Sequence, residues 1–282
     1  MQRIARVLLI CASVCLTLPF AHTAAAQSTF AINNTALEPY QLARASDLVV
    51  FFTGLAPDLE SSWYNAQSAT LLPNLLMKDP LLPQPDVFIV GCRATAWPHD
   101  LTVDDLASAA FGVLQNARIF DYRRIVFVGQ GIGGLVAERV LDDIGLTKPA
   151  SLQRIKAAVL LETPGDRATT DDLADWLRRD RRLTGLTTTT LRDAFASVRD
   201  GRASIRPVSS EAATAWPPID VAYDTRPSQG IRVRALTYLP TFGASTTTPL
   251  DVDYAQLTRP ASRNAESYRW LRTQVRQALG QR

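Results

Sequence analysis

The sequence predicts an α/β fold, in which a mostly parallel sheet is covered by helices on both faces. Short runs of β-branched and aromatic residues alternate with amphipathic helical stretches along most of the chain. Residues 124–138, RIVFVGQGIGGLVAE, have the pattern of a buried strand that runs through a glycine-packed turn into a helix. The length of 282 residues suits one domain of this kind with a sizeable core.

The same alternation predicts the individual elements in order. Strands are expected where short apolar runs occur, at Leu48–Phe52, Val87–Val90, Ile125–Val128, Ala157–Leu161 and Ile231–Tyr238. Helices are expected where apolar residues recur at helical spacing, at Ser62–Leu76, Thr102–Ala117, Gly134–Ile144 and Ala265–Leu279. Thr102 is predicted to cap the second helix, and the Asp105 side chain is predicted to reach back to that cap.

One stretch, residues 165–230, breaks the alternation. It contains two short helical patterns, Thr170–Arg178 and Thr190–Asp200, followed by a tract that includes Pro207, Pro217 and Pro227. We interpret this stretch as an excursion over the edge of the sheet at which the parallel strands end, the carboxyl edge, where a lid would sit. A surface insertion without a gating role fits the pattern equally well.

The first 26 residues have the pattern of a secretory signal peptide. Arg3 and Arg6 precede the apolar run Val7–Phe20, and the small residues Ala24–Ala26 come directly before Gln27. The apolar run is shorter than a helix that spans a bilayer, so no stable membrane anchor is expected. The sequence therefore predicts export to the periplasm or the exterior, with residues 27–282 forming a single domain.

The remaining composition excludes several classes of function. The leader holds two of the 30 basic residues and none of the 27 acidic ones, so the rest is nearly neutral and no affinity for nucleic acid is expected. Cys92 is the one cysteine outside the leader, so no internal disulfide can form. A single histidine there, His99, with scattered acids lacks the spacing of metal ligands, and we expect neither a metal nor a cofactor.

Several segments together resemble the lipase and serine-esterase branch of the α/β-hydrolase superfamily. VVFFTGLAPDLESSW is similar to its first long core strand and oxyanion loop, and IVFVGQGIGGLVAE to the strand and turn that carry its nucleophile as G-x-S-x-G. LLETP is similar to the strand that follows. VDYAQLTRPASRNAESYRWL is similar to the segment that opens with the catalytic histidine and closes with the last helix.

The resemblance implies a hydrolase from which the Ser-Asp-His triad is missing. In the turn Gly129-Gln130-Gly131-Ile132-Gly133, Gly131 stands at the serine position. Tyr254 stands at the histidine position, and the loop Leu239–Thr248, where the acid is expected, holds no Asp or Glu. The expected function is therefore that of a non-catalytic binding or regulatory module, a pseudoenzyme.

The pocket at which a hydrolase of this family would bind its substrate is a candidate binding site. The residues expected to line it are Gly54, Leu55, Gly131 and Ile132. The amides of Leu55 and Ile132, with the positive end of the following helix, could receive a carbonyl or carboxylate. The occupant is expected to be a small ligand or a protein partner of unknown identity.

Two alternatives remain open from the sequence. The first is an active esterase with a displaced catalytic set, in which Cys92 and His99 share the loop after the second predicted strand. The second is a dinucleotide-binding oxidoreductase. Gly129, Gly131 and Gly134 form a literal G-x-G-x-x-G, and Glu162 lies at the end of the next strand, where an acid could bind a ribose.

Overall fold

The computed structural model describes residues 29–32, 45–98, 101–204, 216–238 and 246–280. Its strands are β1 Thr29–Ile32, β2 Asp47–Ala56, β3 Tyr64–Asn65, β4 Thr70–Leu71, β5 Asp86–Arg93, β6 Arg124–Gln130, β7 Ile155–Leu161, β8 Ile219–Asp224 and β9 Thr246–Leu250. Its α-helices are α1 Leu72–Met77, α2 Val103–Asn116, α3 Ile132–Thr147, α4 Pro149–Leu152, α5 Thr170–Arg178, α6 Thr188–Ser204, α7 Tyr254–Thr258 and α8 Glu266–Ala278. Short 3₁₀ helices occupy Ile119–Asp121, Arg181–Leu183 and Ala235–Tyr238.

The main sheet has the order β1-β5-β2-β6-β7-β8-β9. Strand β1 pairs antiparallel with β5, and the other neighbours are parallel. This confirms the predicted fold class, a mostly parallel sheet with helices on both faces.

Strand β2 shows how the two faces are covered. Its residues Leu48, Val50 and Phe52 belong to the apolar layer that contains the buried residues of α2 and α3. Val49 and Phe51 point to the opposite layer, together with residues of α1 and α8. Side chains alternate between the faces of a strand, so a run without polar residues is buried on both sides.

The predicted cap of α2 is present in the structure. Thr102 Oγ1 accepts a hydrogen bond from the amide of Asp105 at 3.1 Å, and Asp105 Oδ2 accepts one from the amide of Thr102 at 3.0 Å. Both partners satisfy amides that the first turn of a helix leaves unpaired.

Two predicted elements are wrong. Ile231–Tyr238 is not a strand but ends in the 3₁₀ helix Ala235–Tyr238, and the last two strands are β8 and β9. Of the predicted helix Ser62–Leu76 the structure has only its end, in α1, because β3 and β4 pair as a hairpin before it. In both places strand pairing overrides the local pattern: β8 pairs with the distant β7, whereas β3 and β4 pair within a short hairpin.

The boundaries of the predicted excursion also change. Strand β8 lies within residues 165–230 and pairs with β7 in the main sheet, so the excursion ends before Ile219. The predicted signal peptide, residues 1–26, lies outside the described residues. No helix in the described ranges is long and apolar enough to cross a membrane.

Candidate functional site

The turn between β6 and α3 has the backbone geometry of a sharp strand-to-helix elbow. Gly131 is the residue before the helix, with φ 52° and ψ −120°. A residue with a Cβ adopts this φ at a cost of about 1–3 kcal/mol, whereas glycine adopts it almost freely. Where no side chain is required at this position, the conformation therefore favours glycine over the other residues.

The neighbouring glycines are explained by packing of β6 against α3. A Cβ on Gly129 would lie 2.5 Å from the Cα of Gly134. A Cβ on Gly134 would overlap the Thr163 side chain, and one on Gly133 would overlap the carbonyl oxygen of Phe52. The run of glycines thus lets protein atoms approach one another. It requires no cofactor phosphate.

An indole ring covers the elbow. Trp176 belongs to α5, and its ring edge would lie 3.4 Å from a Cβ placed on Gly131. The ring is held by a hydrogen bond of 3.0 Å from its Nε1 to the carbonyl oxygen of Glu162. The space into which a serine hydroxyl would project is therefore bounded by an anchored aromatic side chain.

The four residues predicted to bind a ligand lie together around one small cavity. Gly54, Leu55, Gly131 and Ile132 line a hollow of about 20 Å³. That volume is close to the space one water molecule requires. The hollow therefore has room for one small polar group, such as a carbonyl oxygen, but it cannot enclose a whole organic ligand.

An acidic residue occupies the position after the penultimate strand, which the sequence analysis missed. With Ile231–Tyr238 excluded as a strand, that strand is β8, and it ends at the buried Asp224. The prediction that the acid position is empty depended on the wrong loop, Leu239–Thr248. A short apolar run that ends in Asp just before a turn is the signal that could have found it.

The carboxylate of Asp224 is bound by a buried arginine, Arg179, which directly follows α5. Arg179 donates from Nη2 to Asp224 and from Nη1 to Glu162 at 3.0 Å and to the hydroxyl of Tyr238 at 2.6 Å. Its guanidinium carbon lies 4.9 Å from the centre of the Tyr254 ring. The cation thus contacts both the acid position and the residue at the histidine position.

The titratable groups around Arg179 are strongly perturbed. Burial, opposed by Arg179 and assisted by the charge of Asp224, raises the pKa of Glu162 to about 8. Burial, assisted by Asp180, raises the pKa of Tyr254 to about 12. A phenol with that pKa keeps its proton at neutral pH and cannot replace an imidazole as a general base.

Of the displaced catalytic set, the structure describes only Cys92. Cys92 is part of β5 rather than of the loop after it, which corrects the prediction, and its side chain is fully buried in the layer that contains Leu55 and Trp97. His99 lies outside the described residues. A thiol buried in this way cannot reach a substrate at the surface.

The dinucleotide hypothesis loses both of its supports. The glycines are used in packing, and the Glu162 side chain is fully buried in its ion pair with Arg179, where no ribose could reach it.

No protein-family model and no curated protein sequence matches this chain. Among solved structures it is similar to the NocB thioesterase domain in complex with a fluorophosphonate nocardicin G analogue, at 14% identity and a TM-score of 0.44, covering 89% of this chain and 100% of that one. It is also similar to the RedJ thioesterase of Streptomyces coelicolor, at 15% identity and a TM-score of 0.43, covering 87% and 99%. An enol-lactonase from Burkholderia xenovorans has 16% identity and a TM-score of 0.43, covering 89% and 95%. Likeness at this level says nothing about this chain's substrate or activity.

Proposed function

We propose that this chain, which has the α/β-hydrolase fold, is an exported binding or regulatory protein that does not hydrolyse esters. The sheet order and the elbow at Gly131 give the fold. Fold alone does not imply activity, so the proposal depends on the chemistry of the groups at the carboxyl edge.

The observation that carries the proposal is the ion pair between Arg179 and Asp224. In acyl transfer by a triad, the acid holds the base in position and stabilises the imidazolium that forms. Here the carboxylate at the acid position is bound to a guanidinium, which cannot accept a proton at any ordinary pH. Asp224 is therefore retained as part of a structural ion pair.

The other two positions support the proposal independently. Gly131 has no hydroxyl to attack a carbonyl, and the space above it is limited by Trp176. Oxyanion stabilisation alone, worth about 10³–10⁴-fold over water, would require a substrate carbonyl beside Leu55 and Ile132. The hollow of about 20 Å³ at that point has room for about one oxygen atom, and without a nucleophile this contribution falls far short of an enzyme's rate enhancement.

Ester turnover tests this function with a set of variants. Release of p-nitrophenol from short-chain esters should stay at the buffer rate for wild type, for Gly131→Ser and for Gly131→Ser combined with Tyr254→His. The double variant stays inactive because Arg179 still holds Asp224 and Trp176 still covers the elbow. Turnover by wild type that disappears in Gly131→Ala or Asp224→Asn would overturn the proposal.

Export is the second part of the proposal, and the pattern of residues 1–26 supports it. The protein recovered from the periplasm or medium is expected to begin at Gln27, which intact-mass measurement can establish. Recovery of the uncleaved chain from the cytoplasm alone would contradict this part and leave the proposal of inactivity intact.

A further inference from the structure

A second and much larger cavity shares Tyr254 with the hollow above Gly131. It is open to solvent and has a volume of about 460 Å³, within the range of sites for small molecules. An adjoining hollow of about 380 Å³ shares Asp253, Ala255 and Arg259 with it. We call the larger of the two the Tyr254 cavity. It lies at the carboxyl edge of the sheet, where open α/β sheets place their ligands.

The acidic residues that line the Tyr254 cavity are already engaged. Asp180 accepts hydrogen bonds from the side chain of Arg182, at 2.8 Å for the shorter Nε contact. Asp253 caps α7 and accepts the amide of Gln256 at 2.8 Å. Arg179, which also reaches the cavity wall, is neutralised by Glu162 and Asp224.

Two arginines of the same wall have no such counterpart. Arg181 is exposed and Arg259 is half-buried, and neither forms an ion pair with any carboxylate in the described ranges of the chain. With Arg179 set aside, three arginines of the lining stand against two aspartates, Asp180 and Asp253, so the cavity has a formal excess of one positive charge. Pro227 and the ring of Tyr254 contribute apolar surface beside them.

We infer that the Tyr254 cavity binds a small organic anion, one that carries a carboxylate or phosphate-type group on an apolar body. A guanidinium presents parallel donors that match the oxygens of either group. The apolar body would lie against Tyr254 and Pro227. The inference identifies a ligand class for the binding role proposed above and rests on that role, whereas the absence of ester hydrolysis is a separate claim.

Calorimetric titration of the purified exported protein tests the inference. The anionic probes are benzoate and phenylphosphonate, and benzamide is the neutral probe of matched shape. Both anions, or the one that the site prefers, should bind with millimolar affinity or better, and benzamide should bind at least about tenfold more weakly. The preferred anion distinguishes a carboxylate ligand from a phosphate-type ligand.

The variant Arg181→Gln/Arg259→Gln should weaken binding of the preferred anion by at least about tenfold. Its control, Arg123→Gln/Arg269→Gln, removes the same charge from exposed positions that do not line the cavity and should bind like wild type. Failure of both anions to bind, equal binding of benzamide, or an equal loss in the control would each overturn the inference. None of these results would show ester hydrolysis. The anion-binding inference can therefore fail while the proposed absence of hydrolase activity stands.

Discussion

At the scale of single residues, Arg179 decides how the candidate site is organised. Its side chain is 2% exposed and joins Glu162 at the end of β7 to Asp224 at the end of β8. Glu162 and Asp224 are buried side by side, and the guanidinium between them offsets part of the cost of burying their carboxyl groups. The same residue that blocks the acid position therefore holds two strand ends together.

Replacement of Arg179 by methionine should destabilise the fold by about 3–5 kcal/mol, because it leaves buried carboxyls without their cation. The free energy of unfolding from urea titrations measures the effect. Arg178→Met is the matched control: this neighbouring arginine is 68% exposed, and its removal should change stability by no more than about 0.5 kcal/mol. Equal effects of the two substitutions would contradict the structural role of Arg179.

The effect of Arg179→Met should also depend on pH. The folded pKa of Glu162, about 8, lies above its ordinary value of 4.5, so the folded state holds a proton that the unfolded state releases. Stability therefore falls as pH rises between these values. Loss of Arg179 raises the folded pKa further, so the deficit of the variant should grow with rising pH.

The residues of the site differ in how far the sequence could predict them. Gly131 and Tyr254 were found because the resemblance assigns those positions. Asp224 was missed because Ile231–Tyr238 alternates like a strand. The sequence pattern therefore predicts that segment as the penultimate strand in place of β8. Arg179 gave no signal at all: its partners lie 17 and 45 residues away, and such pairs form only once the fold exists.

At the scale of elements, α6 is fixed to α3 by a buried charge cluster. Arg202 of α6 lies 3.5 Å from Asp142 and 3.9 Å from Glu138, both on α3. Gly201 permits the close approach, since a Cβ there would lie 3.1 Å from Asp142 Oδ2. Burial raises the pKa of Asp142 and of Glu138 to about 7, although Arg202 opposes the rise.

Because of this cluster, we expect the free energy of unfolding to fall as pH rises from about 4 to about 7. In that window the unfolded chain releases protons that the folded cluster retains. Asp142→Asn removes one of these carboxyls, so it should flatten the pH dependence and raise stability above pH 7 by about 1–2 kcal/mol. Melting temperatures across that range measure the slope.

The control for this prediction is Asp200→Asn, which removes an exposed carboxylate from α6, the helix that carries Arg202. It should leave the pH slope as it is in wild type. A slope that Asp142→Asn does not change would show that the buried cluster is not the source of the effect.

Elements with strong local signals were predictable, and those defined by distant pairing were not. The helix α2 was recovered with its cap because the capping side chains lie three residues apart. Strand β8 has only six residues, IDVAYD, and its apolar positions become a strand by pairing with β7. Its short apolar run is a weak local signal, and the competing run Ile231–Tyr238 is predicted as the strand instead.

At the scale of the whole molecule, the α/β architecture follows from burial of the sheet on both faces. Strand β2 is buried along its whole length and contains the uninterrupted apolar run Leu48–Phe52, a pattern that indicates a sheet covered on both faces. The architecture could therefore be predicted from the alternation of apolar strands and amphipathic helices. The positions of Trp176 and Arg179 in the site could not be predicted in this way, because both residues belong to the excursion between β7 and β8.

The central claim is that this scaffold carries no activated nucleophile, and covalent labelling tests it most directly. The purified protein is incubated with a fluorophosphonate probe, and its intact mass is measured beside a serine esterase as positive control. We predict an unchanged mass for this protein and complete modification of the esterase. A mass increase of one phosphonyl group, located on a residue at the carboxyl edge of the sheet, would contradict the account.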